Sequence, residues 1–391
     1  MNEINSQQDQ KINLQIVQGA EGISEFGKHW DDLFARAVDA TPFLSSSWVS
    51  TFIREGRIKG TPLFILAWCE GKLVALFPLA VRKCLNANIA APIGTGEASY
   101  HGMLLDPEYP SVVGRIAELI ISERIIDVYI NTFLSTSDIT ANDLLTTLVQ
   151  KGCFCRQTFK DPCHYIQLDC SFDEYMSKRM SSRSRHTLRR KERRLFRNAD
   201  VRIDYYAGKQ VTDEMMSRIA AVQEESWMKR RGIAVLGQRF YRKFLLAMAH
   251  AGLGCLWLMT IDGDDAAFQY AYVAHKNLYF RWTAFKLKYD SLSPGQSLMM
   301  QAIRDACDKN VLSIDLGPGD AEYKRFWATD HYEVNRAIAA GSLRGRLMAI
   351  CYCTVWRLAE VECFHSSYRR IRRMFRAFKE KRRIDKAEIP N

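Results

Sequence analysis

Two stretches of this chain share one plan, and that repeat limits the fold more than any single motif. LFILAWCEGKLVALFPLAV (63–81) and LWLMTIDGDDAAFQYAYVA (256–274) each read as an apolar strand, a turn centred on Gly71 or Gly263, and a second apolar strand. Such a pattern predicts a β-hairpin, because a tight two-residue turn needs left-handed backbone that glycine adopts freely. The two hairpins start 193 residues apart. Ahead of the first lie a helical stretch, Gly22 to Ala37, the segment TPFLSSSW (41–48) and a helix through Arg54. Ahead of the second lie helical stretches Asp213 to Arg230 and Gln238 to Ala251. Helix, helix, hairpin therefore occurs twice, which predicts a duplicated unit.

At 391 residues there is length for two cores. After its hairpin the first half continues with a strand over Ile125 to Phe133 and a helix over Asn142 to Lys151. The second continues with a strand over Tyr279 to Phe285, a Pro-Gly break, a helix over Ser297 to Asp308 and a strand over Val311 to Leu316. Helices alternating with strands predict an α/β (α+β) class, two mixed sheets flanked by helices. The expected divisions are a tail (1–11), a first unit (12–172), a basic connecting helix (173–200), a second unit (201–340) and a basic amphipathic helical extension (341–391).

Charge separates these parts. From Lys178 to Arg197 ten bases face one acid, and from Gly341 onward thirteen face five, within a total of +11. The rest of the chain is thus acidic overall, which argues against a nucleic-acid coat. RRIRRMFRAFKEKRR reads as a segment able to lie on anionic lipid. MNEINSQQDQ lacks the basic-then-apolar order of a signal peptide, and an odd cysteine count without paired C-x-x-C spacing predicts reduced thiols. A cytoplasmic protein without a metal is expected, at most peripheral to the inner membrane.

YDSLSPGQSLMM (289–300) turns from a strand into a helix, and unpaired N–H groups at a helix start suit a phosphate or pyrophosphate. Such a turn also serves simply to link two packed elements. Gln269 interrupts the apolar run AAFQYAYV, Asp315 ends the strand SIDLG, and Tyr323 and Lys324 follow a Gly-rich turn.

In order and spacing, TPFLSSSW, the hairpins, SRSRHTLRRKERRL, AAFQYAYV, YDSLSPGQSLMMQAIRDA and IDLGPGDAEYKRFW resemble the acyltransferase family that includes the CelD/BcsL proteins of bacterial cellulose biosynthesis. The likeness spans roughly residues 25 to 335. That family belongs to the GNAT superfamily and is similar to the Fem aminoacyl-tRNA transferases, so it implies two tandem GNAT-like domains. It also implies an acyl-CoA donor whose pyrophosphate rests on Ser293, Pro294, Gly295, Gln296 and Ser297. The turn departs from the superfamily's R/Q-x-x-G-x-G/A pattern in lacking the second glycine, which leaves an aminoacyl-tRNA donor open.

The resemblance places Tyr323 as the acid for the leaving thiolate and Lys324 as a group handling donor or substrate charge. Asp315 is the carboxylate for proton removal or orientation, and Gln269 a contact to the acceptor. Each has a plain alternative: surface aromatic, solvated charge, turn former, backbone cap. Tyr289 and Asp290 are weaker rim candidates, and His101 in APIGTGEASYHG is a base only if it reaches across a cleft. The acceptor expected is a glycan, a lipid-linked molecule or an amine. The other two readings are a Fem-like aminoacyl-tRNA-dependent transferase and a non-catalytic scaffold at the membrane surface.

Overall fold

A computed structural model describes residues 11–37 and 39–360. The first half runs β1 (Ile12–Gln18), α1 (Ile23–Arg36), α2 (Ser46–Arg54), β2 (Thr61–Cys69), β3 (Lys72–Cys84), β4 (Ala87–Pro92), β5 (Leu104–Leu105), α3 (Val112–Ser122), β6 (Val128–Ser135), α4 (Ile139–Gln150) and β7 (Phe154–Gln167). Then come α5 (Phe172–Arg179) and α6 (Ser182–Asn198). The second half repeats the order as β8 (Val201–Ala207), α7 (Asp213–Glu224), α8 (Arg239–His250), β9 (Gly254–Ile261), β10 (Asp264–Ala274), β11 (Asn277–Phe285), α9 (Pro294–Asp308), β12 (Ser313–Pro318), α10 (Glu322–Trp327), β13 (Asp330–Ala340) and α11 (Leu343–Glu360).

Both expected hairpins form, and their turns have the same geometry. Glu70 and Gly71 have φ of 50° and 81°, and Asp262 and Gly263 have 51° and 78°. Two successive positive φ values make the turn whose twist matches the flanking strands. α1 buries Phe26, Trp30 and Leu33, one helical face.

Among the described residues the strands form one mixed sheet in the order β1-β2-β3-β4-β6-β13-β7-β12-β11-β10-β9-β8, with β5 beside β3. The order is two-fold symmetric about its centre, with the last strand of each half exchanged. β13 pairs with β6 of the first half, and β7 pairs with β12 of the second. The sheet therefore does not break at the boundary expected between residues 172 and 201. A shared aromatic core covers one face, with Trp48 against Phe244 at 4.6 Å and against Tyr272 at 5.2 Å between ring centroids.

Each half contains one short parallel pair, β4 with β6 and β11 with β12. In the first half the gap where these strands part is filled by chain. The His101 N–H donates to Phe133 O of β6 at 3.0 Å, and Leu104 pairs with Leu76 of β3. Ser99, Tyr100, His101 and Met103 are all buried there.

Several boundaries differ from expectation for local reasons. The basic stretch is two helices, because Ser181 caps a new one by accepting from Ser184 N. α6 is also not wholly solvated, since Leu188 and Leu195 are buried seven residues apart. α9 begins at Pro294 rather than Ser297, as proline's fixed φ suits a first helical position. RRIRRMFRAFKEKRR lies outside the described residues.

Candidate active site

β11 and β12 stay paired only from Asn277 with Ser313 to Tyr279 with Asp315, and then separate. β10 continues to follow β11 as far as Phe285, so β12 is the strand that leaves. A cavity of about 70 Å³ occupies the gap. Gln269 of β10, Arg281 and Thr283 of β11, Met299 of α9 and Tyr323 and Lys324 of α10 line it. Three of the four expected catalytic residues thus meet in one place.

Lys324 is 8% exposed, and its ammonium donates to the carbonyls of Gly317 and Pro318, each at 2.8 Å. An ammonium has three protons, so one N–H remains for the cavity. Burial lowers its pKa, which eases loss of the proton. Tyr323 is 44% exposed, and desolvation raises its hydroxyl pKa, keeping it protonated and able to donate. Gln269 is buried, with Nε2 donating to Tyr270 O at 3.0 Å and Trp282 O at 3.4 Å. The amide is thus a backbone cap at its nitrogen, and its Oε1 is the atom left to accept.

The turn before α9 takes its shape from a serine. The left-handed residue is Ser293, with φ of 55°, whereas Gly295 is not among the positive-φ residues. A Cβ on Gly295 would approach Phe285 Cδ1 at 3.4 Å, ordinary contact, so neither backbone nor space requires glycine there. No side chain caps this helix start. Gln296 Oε1 accepts from Lys191 of α6 at 2.9 Å, Ser297 is buried, and Pro294 occupies the first turn. Residues 293–297 do not line the cavity, but Met299, further along the same helix, does. Lys191 and Arg281 went unremarked in the sequence, Lys191 because it is one base among ten.

Asp315 faces elsewhere. It lines a cavity of about 410 Å³ between the halves, together with Asp39, Thr41, Tyr100, Asp138, Tyr279 and His331 among others. Its carboxylate accepts from Tyr100 Oη at 2.8 Å, Tyr332 Oη at 2.5 Å and Gly317 N at 2.7 Å. With its proton committed, the Tyr100 hydroxyl accepts from the Cys163 thiol at 2.6 Å. Desolvation still outweighs these bonds and raises the Asp315 pKa. The same burial pushes Tyr100, Tyr332 and Cys163 well above their ordinary values. Gly317 joins the two cavities, its N–H bonded to Asp315 and its carbonyl to Lys324.

His101 does not reach this cavity. It is buried, its Nε2 has no partner among the described residues, and burial lowers its pKa to about 3. Its neighbour Tyr100 makes the crossing instead. Tyr289 donates to Asp264 at 3.0 Å and is not part of either cavity's lining. Among the described residues no group of three or more His, Cys, Asp or Glu is placed to hold a metal.

The sheet thus parts between two parallel strands, with Met299 of α9 against the gap. Residues 182–325 match the acetyltransferase (GNAT) domain family. That stretch, which begins at α6, is similar to a GNAT-type acetyltransferase domain. The solved structure of FemX is similar, with a TM-score of 0.61 at 11% identity over 83% of this chain and 98% of that one. The C-terminal domain of an Agrobacterium fabrum protein described as a lysylphosphatidylglycerol synthetase gives 0.54 at 14% identity, over 85% and 96%. At these identities the likeness speaks for the GNAT-like fold alone. Comparison with curated protein sequences returns no match.

Proposed function

We propose that this protein is an acyltransferase of the CelD/BcsL type that moves an acyl group from acyl-CoA to an amine or hydroxyl of an envelope or polysaccharide-related acceptor. The observation that carries this reading is the parting of β11 from β12 around Gln269, Arg281, Tyr323 and Lys324. A thioester held there with its pyrophosphate at Ser293 to Ser297 presents its carbonyl to the cavity. The nucleophile attacks that carbonyl, the new C–N or C–O bond forms, and the C–S bond breaks. Tyr323 gives its proton to the departing thiolate, and the free N–H of Lys324 stabilises the oxyanion.

The acceptor enters from the cavity between the halves, and Asp315 takes or orients its proton. Asp39, Asp138 and Asp315 line it beside Thr41, Ser135 and Ser137, a set of hydrogen-bonding groups that suits an amine or a polyhydroxylated glycan. The site works on the cytoplasmic side of the cell.

Calorimetry with acetyl-CoA and longer acyl-CoA esters tests the donor. Gly295→Ala binds as wild type and Gly295→Trp does not. Absence of binding by every CoA ester overturns the reading. One feature favours a second reading, transfer from an RNA-borne donor: Arg183, Arg190, Arg194 and Arg197 stand exposed on α6, whose Lys191 touches the turn. Under that reading RNA binds and its affinity falls steeply across a salt series.

A further inference from the structure

α11 packs against β13 and β6 through Ala349 and Cys353, alongside Ile130, Ile338 and Ala340. A helix that has buried one face normally turns charge outward. This one turns apolar residues outward as well: Leu343 is 77% exposed, Leu347 61%, Ile350 52% and Val355 50%. Leu343, Leu347 and Ile350 follow at intervals of four and three, which sets them on a single outward stripe, with Val355 at its flank. The charged residues from Leu343 to Arg357 are Arg344, Arg346 and Arg357, with no acid among them.

A second element packs against α11 and carries an exposed apolar tip. The hairpin between β3 and β4 is tied to α11 by Arg82, which donates to Tyr352 Oη at 2.6 Å, and by Cys84, which packs on the same cluster. Its tip is Leu85, 87% exposed, with φ of +48°. Asparagine or glycine suits that backbone far better, so an exposed leucine there brings local strain without burying anything within the chain. Arg82 and Lys83 precede it.

We propose that the outward stripe of α11 and the Leu85 tip form one docking surface for a membrane carrying anionic lipid. Charge selects this occupant over a second copy of the chain. Pairing two such faces brings arginines against arginines, whereas an anionic headgroup layer neutralises them and the leucines enter the acyl boundary. The bases beyond Glu360 add to the attraction, each Lys or Arg near an anionic surface strengthening binding about fivefold. The proposal does not depend on the acyl-transfer reading, and its test reads no activity.

The test is flotation of the full-length protein with vesicles of phosphatidylcholine alone and with about 30% phosphatidylglycerol, in about 0.1 M salt. Wild type floats with the anionic vesicles only. Leu347→Glu/Ile350→Glu lowers partitioning by about tenfold or more, since two side chains lose their apolar burial. Leu85→Asn lowers it severalfold while remaining folded, because asparagine relieves the strained φ. Binding to neither vesicle, equal binding to both, or unchanged partitioning of the double variant overturns the proposal. So does a concentration-dependent dimer that the double variant abolishes, which assigns the face to a second copy.

Discussion

Asp138→Asn separates charge from geometry at the wall of the larger cavity. Asp138 caps α4, its carboxylate accepting from Ala141 N at 2.8 Å. Burial, reinforced by Asp39 and opposed by that cap bond, raises its pKa from 3.8 to about 7. A raised carboxyl pKa means that the folded state holds the proton more tightly than the unfolded chain. The stability this provides is complete below the unfolded pKa and is lost as pH rises through the folded one. A shift of about three units corresponds to about 4 kcal/mol. The residue is still partly exposed toward the cavity, so solvent screening brings the expected figure to about 2 kcal/mol. Asparagine keeps an oxygen for the cap and carries no charge. Equilibrium urea unfolding should therefore give nearly equal stabilities near pH 4 and a gap favouring Asp138→Asn that grows to a plateau above pH 7. A gap that does not change with pH, or a less stable variant at pH 8, refutes the reasoning.

Three further outcomes follow from the cavities. Tyr323→Phe should lower kcat about a hundredfold with KM little changed, measured by release of free thiol; an unchanged kcat removes it as the acid. Lys324→Met leaves the carbonyls of Gly317 and Pro318 unpaired, at about 1–3 kcal/mol each, partly offset by removal of a buried charge, so thermal unfolding should come earlier. Tyr100→Phe removes a donor to both oxygens of Asp315 and raises that carboxyl's pKa further. The acidic limb of the activity profile should then move to higher pH, and an unmoved limb shows that Asp315 does not govern it.

Local chemistry made the hairpins legible, because Glu-Gly and Asp-Gly between apolar runs leave the backbone one good turn. Gln269 stood out because it interrupts an apolar strand, whereas Tyr323 and Lys324 stood out through the family resemblance, which places them after a Gly-rich turn. The partners of Asp315 did not stand out. Tyr100 lies 215 residues away in the other half, and nothing near either residue announces the pairing. The left-handed backbone of Ser293 is not legible in the sequence, because beside a Pro-Gly pair the glycine is ordinarily the residue that takes that conformation. The exchange of β7 and β13 was equally hidden, since a strand's own sequence records which faces it buries and not which strand lies beside it.

That exchange sets an order of assembly. As the first half leaves the ribosome, β6 presents an edge whose eventual neighbour, β13, lies some two hundred residues downstream. Until residues 330–340 are made, the centre of the sheet has no middle, and the facing edges of β6 and β7 stay open to any other strand in reach. A gene cut between residues 172 and 201 would yield two fragments that need each other to close. The last of the described strands is the one that completes the first half, so a chain truncated before it is caught by its own unpaired edges rather than passing as a smaller protein.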